Sequence, residues 1–266
     1  MLGKLIKYEL RATRRTMLPL YAALLVIALL TRLSMSSLFV QNGMAHHGLL
    51  NFIAVALGTA FGLLTFAVGF ITLFLMAQRF QKNLLGDEGY ISFTLPVTAS
   101  QNIAAKLIVS IVWFFSSFVV EILATIILTA QMRFLPHFFS SLFDFFKTFP
   151  EGYAPHAVLW TVEGVLLVLS GMSLCILMVY ASIALGHCFQ KHRILMSLAA
   201  FLVLLMASQL IGHLLAYLLS QLPIEALEPV ASIHAGMFSL LFCCLLYCGI
   251  YVLITKYTLT HHLNLE

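Results

Sequence analysis

Charged side chains are scarce in this sequence. Only 9% of its 266 residues are Asp, Glu, Lys or Arg, whereas 62% are hydrophobic and the mean hydropathy is +1.03. A soluble domain has about 25% charged residues, so the composition excludes an ordinary soluble enzyme. The net charge of +4 does not indicate a nucleic-acid partner either, because the basic residues gather at the ends of apolar runs. That placement is typical of membrane proteins.

Several motifs that bind metals, nucleotides or substrates are missing. The ten histidines include no pair four residues apart and no H-E-x-x-H run, so no metal site is predicted. The five cysteines are odd in number and lack metal-ligand or redox spacing, and we interpret them as small apolar residues. There is no G-x-x-x-x-G-K-[ST] loop and no G-x-S-x-G turn. We therefore expect no metal, no cofactor and no enzymatic activity in this chain.

The sequence has instead six long apolar runs. A helix needs about 20 apolar residues to cross a membrane, and none of these runs alternates like a barrel strand. We predict an all-α polytopic membrane protein, with six transmembrane helices preceded by an amphipathic interfacial helix and no internal repeat. The predicted spans cover residues 17–39, 49–78, 103–130, 157–185, 194–219 and 234–254.

Lysine and arginine predict the orientation of the spans. Eleven of these residues fall on the side that holds both termini, and two, Arg133 and Lys147, fall on the other side. Positive residues concentrate on the cytosolic side of membrane proteins. The termini and the connection between the second and third spans are therefore predicted to be cytosolic.

The first 16 residues are predicted to form an interfacial helix that lies on the cytosolic membrane surface. Its two faces separate on a helical projection. We predict that the chain bends near Pro19 into a transmembrane domain over residues 17–255, followed by a cytosolic tail over residues 256–266. The apolar arc holds Leu2, Leu5, Ile6, Leu10, Thr13 and Met17, and the basic arc holds Lys4, Lys7, Arg11, Arg14 and Arg15.

Three ionisable residues, Arg32, Glu121 and Glu163, lie inside the predicted spans. A charge that faces lipid at the bilayer centre costs about 2.5 to 3.5 kcal/mol on insertion scales, so each should face protein or water. At about 1.5 Å per residue, Arg32 and Glu121 lie at similar depth. We predict that they pair, with Glu163 as the second choice of partner for Arg32. These charges either fix helix packing or reach the headgroups, or they line a substrate path.

The connection between the second and third spans contains the most polar stretch, "RFQKNLLGDEGYISFTLP". Gly86 is typical of a helix end, and Thr98 with Gln101 is typical of a capping box that begins the next helix. Tyr90 and Phe93 between them favour a docking surface for a partner, since aromatic residues dominate small interfaces. Anchoring of these two rings at the lipid interface is the alternative.

This stretch carries a resemblance to a known family. The run "RFQKNLLGDEGYISFTLPVTASQNIAAKLI" resembles the cytosolic loop of bacterial ABC transporter permeases of the type-2 exporter class, where a run close to "F.KNLLGDEGYL.FTLPV" joins the second and third spans. The opening "LGKLIKYELRAT", the six-span layout and the ending "ITKYTLTHHLNLE" are also similar to small permeases of this group from Gram-positive bacteria. The resemblance covers the whole chain by layout.

The resemblance implies a permease subunit that exports a peptide, an antibiotic or a lipid-like compound across the bacterial plasma membrane. It implies three partners: separate cytosolic ATPase subunits that bind the ATP, a second permease chain of the same or a sister sequence, and membrane lipid. It also implies that the N-terminal helix is the interfacial elbow of the family. The loop over residues 79–102 would dock on the ATPase, and the coupling residues carried over from the family motif are Asp87, Glu88, Gly89, Tyr90, Phe93 and Pro96.

Two other classes of function are compatible with the sequence. One is a membrane-embedded enzyme that uses Glu121, Glu163 or a histidine, and the other is an ion-coupled carrier that uses Glu121 or Glu163. The enzyme would need two or three catalytic residues at convincing helical spacing, which the sequence lacks. The carrier would favour an internal repeat, which the sequence does not have.

Overall fold

The structure is a computed structural model that describes residues 2–40, 48–86, 97–129, 140–141, 143–144, 154–189, 191–221 and 228–261. In these ranges all regular structure is helical. A π-helical turn, Gln81–Leu85, extends the second long helix, and a 3-10 turn, Ala154–His156, precedes the fourth. The six long helices are α1 Leu2–Val40, α2 Gly48–Phe80, α3 Ala99–Thr129, α4 Ala157–Gly186, α5 Arg193–Ser220 and α6 Pro229–His261.

All six helices are long and apolar enough to cross a membrane. The prediction of an all-α polytopic fold with six spans is confirmed. The helices extend beyond the predicted apolar runs. Hydropathy indicates which part of a helix lies in hydrocarbon, but it does not indicate the residues at which the helical backbone hydrogen bonds begin and end. Apart from α1, the largest extension is in α6, which begins at Pro229 and continues through Lys256 to His261.

Helix α1 differs from the prediction in having no break after residue 16. Pro19 lies inside one continuous helix, where it removes a single backbone donor. The buried residues of α1 follow each other at steps of three or four, with no change of face at Pro19. The predicted interfacial element is thus the first part of α1, and its five basic residues are exposed. The buried face consists of Thr13, Met17, Tyr21, Leu24, Ala28 and Thr31.

The contacts divide the chain into two units. The first consists of Met1–Ile6, Met76–Ile111 and Phe146–Glu266, and the second consists of Lys7–Leu75 and Val112–Phe145. Helices α1, α2 and α3 each contribute residues to both units.

In the second unit, polar side chains join α1, α2 and α3. Trp113 donates through Nε1 to Thr13 Oγ1 at 2.7 Å, and the Tyr21 hydroxyl donates to the Trp113 carbonyl oxygen at 3.2 Å. The Ser117 hydroxyl lies 2.7 Å from that of Tyr21 and 3.0 Å from that of Thr72. Interhelical hydrogen bonds of this kind contribute on average about 0.6 kcal/mol each in a membrane, where apolar helices gain little by leaving lipid for protein.

In the first unit, α4 packs against both α5 and α6. The burial of α4 is concentrated in its last part, from Ile176 to Gly186. The link to α5 needs a glycine, because a Cβ atom at Gly186 would lie 2.5 Å from Ser197 Cα. Gly58 and Gly62 in α2, by contrast, each have open space where a Cβ atom would be.

Candidate functional site

The six residues carried over as the ATPase-coupling site, Asp87, Glu88, Gly89, Tyr90, Phe93 and Pro96, lie outside the described residues. The chain on both sides of this segment is described. The geometry of these flanking residues defines where the chain leaves α2 and where it enters α3.

On the α2 side, the chain leaves the helix through the π-helical turn. Leu84 and Leu85 in this turn are buried, at 1% and 8% exposure. Gly86 follows in an extended conformation, with φ −100° and ψ −168°. A Cβ atom there would lie 2.9 Å from the Lys82 carbonyl oxygen. The prediction that Gly86 ends the helix is confirmed, and the reason is this close backbone approach and not a left-handed φ.

On the α3 side, Thr98 and Gln101 form the predicted capping box. The backbone N–H of Thr98 donates to Gln101 Oε1 at 3.2 Å, and the backbone N–H of Gln101 donates to Thr98 Oγ1 at 3.3 Å. Two N–H groups that a helix start leaves unpaired are satisfied in this way. Helix α3 is therefore fixed at its first residues.

Behind the two attachment points, α2, α3 and α4 are joined by a buried aromatic stack. The rings of Phe80 and Tyr180 lie 4.1 Å apart between centroids, with 9° between their planes. The Tyr180 hydroxyl lies 2.8 Å from Ser110 Oγ, and Lys106, which is 7% exposed, donates to the Arg79 carbonyl oxygen at 3.5 Å. The stack and these hydrogen bonds hold α2 and α3, the helices on either side of residues 87–96, against each other and against α4.

A cleft of about 850 Å³ opens beside the end of α2 in the same unit. One wall is the end of α2 with Gln81 and Lys82, and the other is the connection from α4 to α5 with His187, His192 and Arg193. The cleft therefore combines apolar walls with the basic side chains of Lys82 and Arg193.

His187 fixes the tautomer of its ring through two contacts. Its Nδ1 atom donates to the Ile183 carbonyl oxygen at 2.9 Å, which leaves Nε2 as an acceptor facing Gln81 Nε2 at 3.4 Å. Burial lowers the pKa of His187 below its ordinary value of 6.5; the hydrogen bond to Ile183 opposes this, and the charge of Arg193 adds to the lowering. His187 is thus a neutral residue in a cationic cleft at neutral pH.

The connection between α4 and α5 is backbone-strained at one position. His192 has φ 57°, in the left-handed region, and it is not a glycine. Its carbonyl oxygen accepts the first hydrogen bond of α5, from the Met196 N–H at 2.9 Å. A left-handed conformation costs an ordinary residue about 1 to 2 kcal/mol. His192 therefore stores strain on the wall of the cleft.

Arg32 has a different partner from the one predicted. Its Nη1 atom donates to the Ile127 carbonyl oxygen at 3.2 Å, and within the described residues no ion pair joins it to Glu121 or Glu163. Ile127 lies in the last turn of α3, where carbonyl oxygens have no partner within the helix and the helix dipole is negative. The predicted Arg32–Glu121 pair is wrong, because similar depth alone does not bring two side chains together, and Arg32 contacts the carbonyl oxygen of Ile127 instead.

Glu163 belongs to a chain of three polar side chains. Its Oε1 atom lies 2.7 Å from His234 Nδ1, and His234 Nε2 lies 3.3 Å from His156 Nδ1. The ring of Trp160 lies beside both imidazoles. Glu163 is 5% exposed, and its Oε2 atom has no hydrogen-bond partner among the described residues. We name Glu163, His234 and His156 the α4–α6 polar chain.

The sequence contained a signal for this chain that was not used. Glu163 lies six residues after the start of α4, and His234 lies five residues after the start of α6. Two helices separated by one intervening span run in the same direction, so these positions lie at similar depth. The same counting was applied to Arg32 and Glu121 but not to the histidines.

Among the described residues, no group of three or more His, Cys, Asp or Glu side chains has the geometry to hold a metal ion. The expectation that the chain binds no metal stays a prediction. The free thiols of Cys175, Cys243, Cys244 and Cys248 lie within α4 and α6.

A comparison of the chain with protein-family models, with curated proteins and with solved structures finds no match. The likeness to ABC permeases therefore rests on the residues of the chain itself.

Proposed function

We propose that the chain is the membrane subunit of an ABC exporter of the type-2 class. In this proposal it pairs with a second permease chain in the bacterial plasma membrane, with both termini in the cytosol. Two cytosolic ATPase subunits bind the ATP and dock on residues 79–102. The cargo is a peptide, an antibiotic or a lipid-like molecule.

The observation that carries the proposal is the anchoring of both ends of residues 87–96. A segment that receives a push from an ATPase transmits it only if it is fixed to elements that move as units. Gly86 follows a turn with two buried leucines, and Thr98 caps α3 with Gln101. The Phe80–Tyr180 stack then joins α2 to α4.

The acids of the proposed docking segment complement basic partners, while aromatic side chains supply contact area at low entropic cost. Closure of the ATPase dimer would press on Tyr90 and Phe93, and the anchored ends would pass the displacement to α2 and α3. The first turns of α1, with their exposed cations, would lie against lipid phosphates at the cytosolic surface, as an elbow helix does.

Purification of the chain from its native membrane tests the proposal. The chain has no nucleotide-binding loop of its own, so ATP hydrolysis in the purified fraction would report a bound ATPase. Tyr90→Ala and Asp87→Lys should leave the amount of protein in the membrane unchanged but remove most of this hydrolysis. Glu225→Ala, in a connection predicted to lie outside the cell, is the matched control.

A fraction without ATP hydrolysis from the unsubstituted chain would contradict the assignment to ABC exporters. Equal hydrolysis in Tyr90→Ala, Asp87→Lys and Glu225→Ala would contradict only the docking role of residues 87–96.

An ion-coupled carrier is the second candidate, and one observation favours it over a membrane-embedded enzyme. The contact of Glu163 with His234 forms an ionisable pair inside the helices, which is typical of ion and proton pathways in transporters. Glu121, the other acid named for this role, has no ion-pair partner within the described residues. Transport that persists without ATP but requires an ion gradient would favour the carrier.

A further inference from the structure

The cleft beside the end of α2 is lined by basic and by apolar side chains. Lys82 lies in one wall and Arg193 in the other. None of the described residues that line the cleft is an Asp or a Glu. A ligand that matches both parts has an anionic group and an apolar chain. The apolar part, which we name the apolar strip, comes from the first two turns of α5 and consists of Ile194, Leu195 and Leu198.

The apolar strip lies where a bilayer would meet α5. Helix α5 begins at Arg193 and is apolar enough to cross a membrane from that residue. Its 28 residues span about 42 Å, more than the hydrocarbon thickness of about 30 Å, so Arg193 reaches the headgroup region. The three side chains of the strip are 79%, 64% and 58% exposed. In a membrane-spanning helix, apolar side chains with this exposure face lipid.

Arg193 has the hydrogen-bond donors that a phosphate group requires. Its guanidinium presents N–H donors in a planar fork, which holds a phosphate through two parallel hydrogen bonds. Within the part of the chain that the structure describes, no hydrogen bond or ion pair joins this guanidinium to another residue. The side chain of Arg193 is half-buried, whereas that of Lys82 in the opposite wall is exposed. Arg193 is therefore suited to hold a phosphate, and Lys82 to attract it from the other wall.

Both walls are held in place by contacts of their own. One wall contains the π-helical turn Gln81–Leu85, whose two leucines are buried. In the other wall, the left-handed His192 accepts the first hydrogen bond of α5 from the Met196 N–H. The Nε2 atoms of Gln81 and His187 lie 3.4 Å apart and join the two walls. A site that is formed before its ligand arrives binds it at a lower entropic cost, and π-helical turns and left-handed residues other than glycine occur often at functional sites.

From these observations we propose that the cleft binds an anionic phospholipid of the surrounding membrane. Its phosphate lies between Arg193 and Lys82, and an acyl chain follows the apolar strip. The cleft volume of about 850 Å³ falls within the range of about 300 to 1,000 Å³ that is typical of small-molecule sites. Basic pockets between membrane helices bind phospholipid headgroups in this way. The proposal rests on the membrane-spanning character of the helices and not on a partner ATPase.

Native mass spectrometry of the purified, delipidated full chain measures this binding, because it resolves each bound lipid by its mass. Phosphatidylglycerol and phosphatidylcholine with the same acyl chains are the probes, since only the first has a net negative headgroup. One phosphatidylglycerol should bind at least about tenfold more tightly than phosphatidylcholine, the effect of one charge-assisted hydrogen bond. Inorganic phosphate at the same concentration should not displace it, because phosphate lacks the acyl chain that contacts the apolar strip.

Substitutions at the two basic residues test the position of the phosphate. Arg193→Gln should reduce the affinity for phosphatidylglycerol about tenfold, because an amide cannot make the two parallel ionic hydrogen bonds. Arg193→Lys should recover part of the affinity, since an ammonium group attracts the phosphate without the planar fork. Lys82→Gln, at an exposed position, tests the site if Arg193→Gln does not fold, and it should reduce the affinity severalfold. Lys256→Gln, at an exposed position near the end of α6, is the matched control and should bind as the unsubstituted chain does.

Equal affinity for phosphatidylglycerol and phosphatidylcholine would overturn the proposal, and so would equal affinity of Lys82→Gln and Lys256→Gln for phosphatidylglycerol. Displacement of the lipid by inorganic phosphate would assign the cleft to a soluble anion. Loss of a dimer in Arg193→Gln without loss of lipid binding would assign it to a second copy of the chain. Lipid binding that occurs only after Asp87→Asn and Glu88→Gln would assign it to the acids of the chain itself. Each of these results would exclude the lipid as the ligand of the unsubstituted chain.

Discussion

The ring of Phe80 at the end of α2 stacks on the ring of Tyr180 in α4, with 4.1 Å between centroids and 9° between planes. Both side chains are fully buried, and the Tyr180 hydroxyl also contacts α3 through Ser110. Three helices thus meet at one aromatic pair next to the attachment of residues 87–96. A docking segment needs such a fixed attachment if it is to pass a displacement on to the helices.

Substitution of Tyr180 should separate stacking from hydrogen bonding. Tyr180→Phe keeps the stack but leaves Ser110 without this partner, and should cost about 1 kcal/mol. Tyr180→Ala also creates a cavity and should cost about 3 to 5 kcal/mol. Thermal unfolding in detergent measures both. Tyr8→Phe, at an exposed position in α1, is the control, and an equal effect of Tyr180→Phe and Tyr180→Ala would contradict the role of the stack.

Gly186→Ala should be among the most disruptive single changes in the first unit. The added methyl would meet the backbone of Ser197 at 2.5 Å, so α4 and α5 would have to move apart. Gly171→Ala in the same helix meets nothing within 4 Å and should be neutral or stabilising, by up to about 1 kcal/mol from helix propensity. Comparison of the two melting temperatures is the test. Equal melting temperatures of the two variants would mean that α4 and α5 can move apart at Gly186 without loss of stability.

The fold could be predicted from sequence because the membrane leaves few choices. Backbone groups in lipid must be paired within a helix, so apolar length alone indicated the six spans. The capping box at Thr98 and the helix end at Gly86 were predictable too, since both depend on residues close in sequence. The break after residue 16 was predicted from charge pattern, but the continuous buried face of α1 across Pro19 is set by its packing against other helices.

The polar contacts inside the helices could not be predicted in the same way. Glu163 and His234 are 71 residues apart, and Arg32 and Ile127 are 95 apart, so neither contact follows from local periodicity. For Arg32 the partner is a backbone carbonyl, which has no sequence signature. A search restricted to oppositely charged side chains therefore selected Glu121 and missed the helix end.

Acidification should weaken the packing around His187. Because burial lowers the pKa of His187 in the folded protein below its ordinary value of 6.5, its contribution to stability is present above pH 6.5. It is lost as the pH falls below 6.5 toward the folded-state pKa, when the unfolded chain binds the proton more readily. The pH dependence of the melting temperature should be flatter in His187→Asn. If the melting temperature falls equally steeply below pH 6.5 in His187→Asn and in the unsubstituted chain, protonation of His187 does not contribute to the pH dependence of stability.

The predicted orientation follows from eleven Lys and Arg residues on the side of the termini and two on the other side, and thiol labelling can test it. In a background without native cysteines, Gln41→Cys, Ser140→Cys and Gln221→Cys should react with an impermeant maleimide on intact cells. Gly89→Cys should be protected until the cells are opened, because residues 79–102 are predicted to face the cytosol. Reaction of Gly89→Cys with protection of the other three would reverse the topology.

Arg32 should act as a cap for α3 and not as the partner of an acid. Its guanidinium donates to a carbonyl oxygen in the last turn of α3, so Arg32→Met should lower stability by about 1.5 to 3 kcal/mol, the range for hydrogen bonds to charged groups. Arg32→Lys should recover part of this loss, because an ammonium group also donates near the negative end of a helix.

A double-mutant cycle with Glu121 separates the cap from the ion pair that the sequence suggested. If Arg32 caps α3, the effects of Arg32→Met and Glu121→Gln on stability should add to within about 0.5 kcal/mol. With an ion pair, the double variant should instead lose less stability than the two single variants lose together. The reason is that the second substitution would remove a charge that the first had left unpaired. Coupling of about 1 kcal/mol or more would therefore restore the Arg32–Glu121 pair and contradict the capping role.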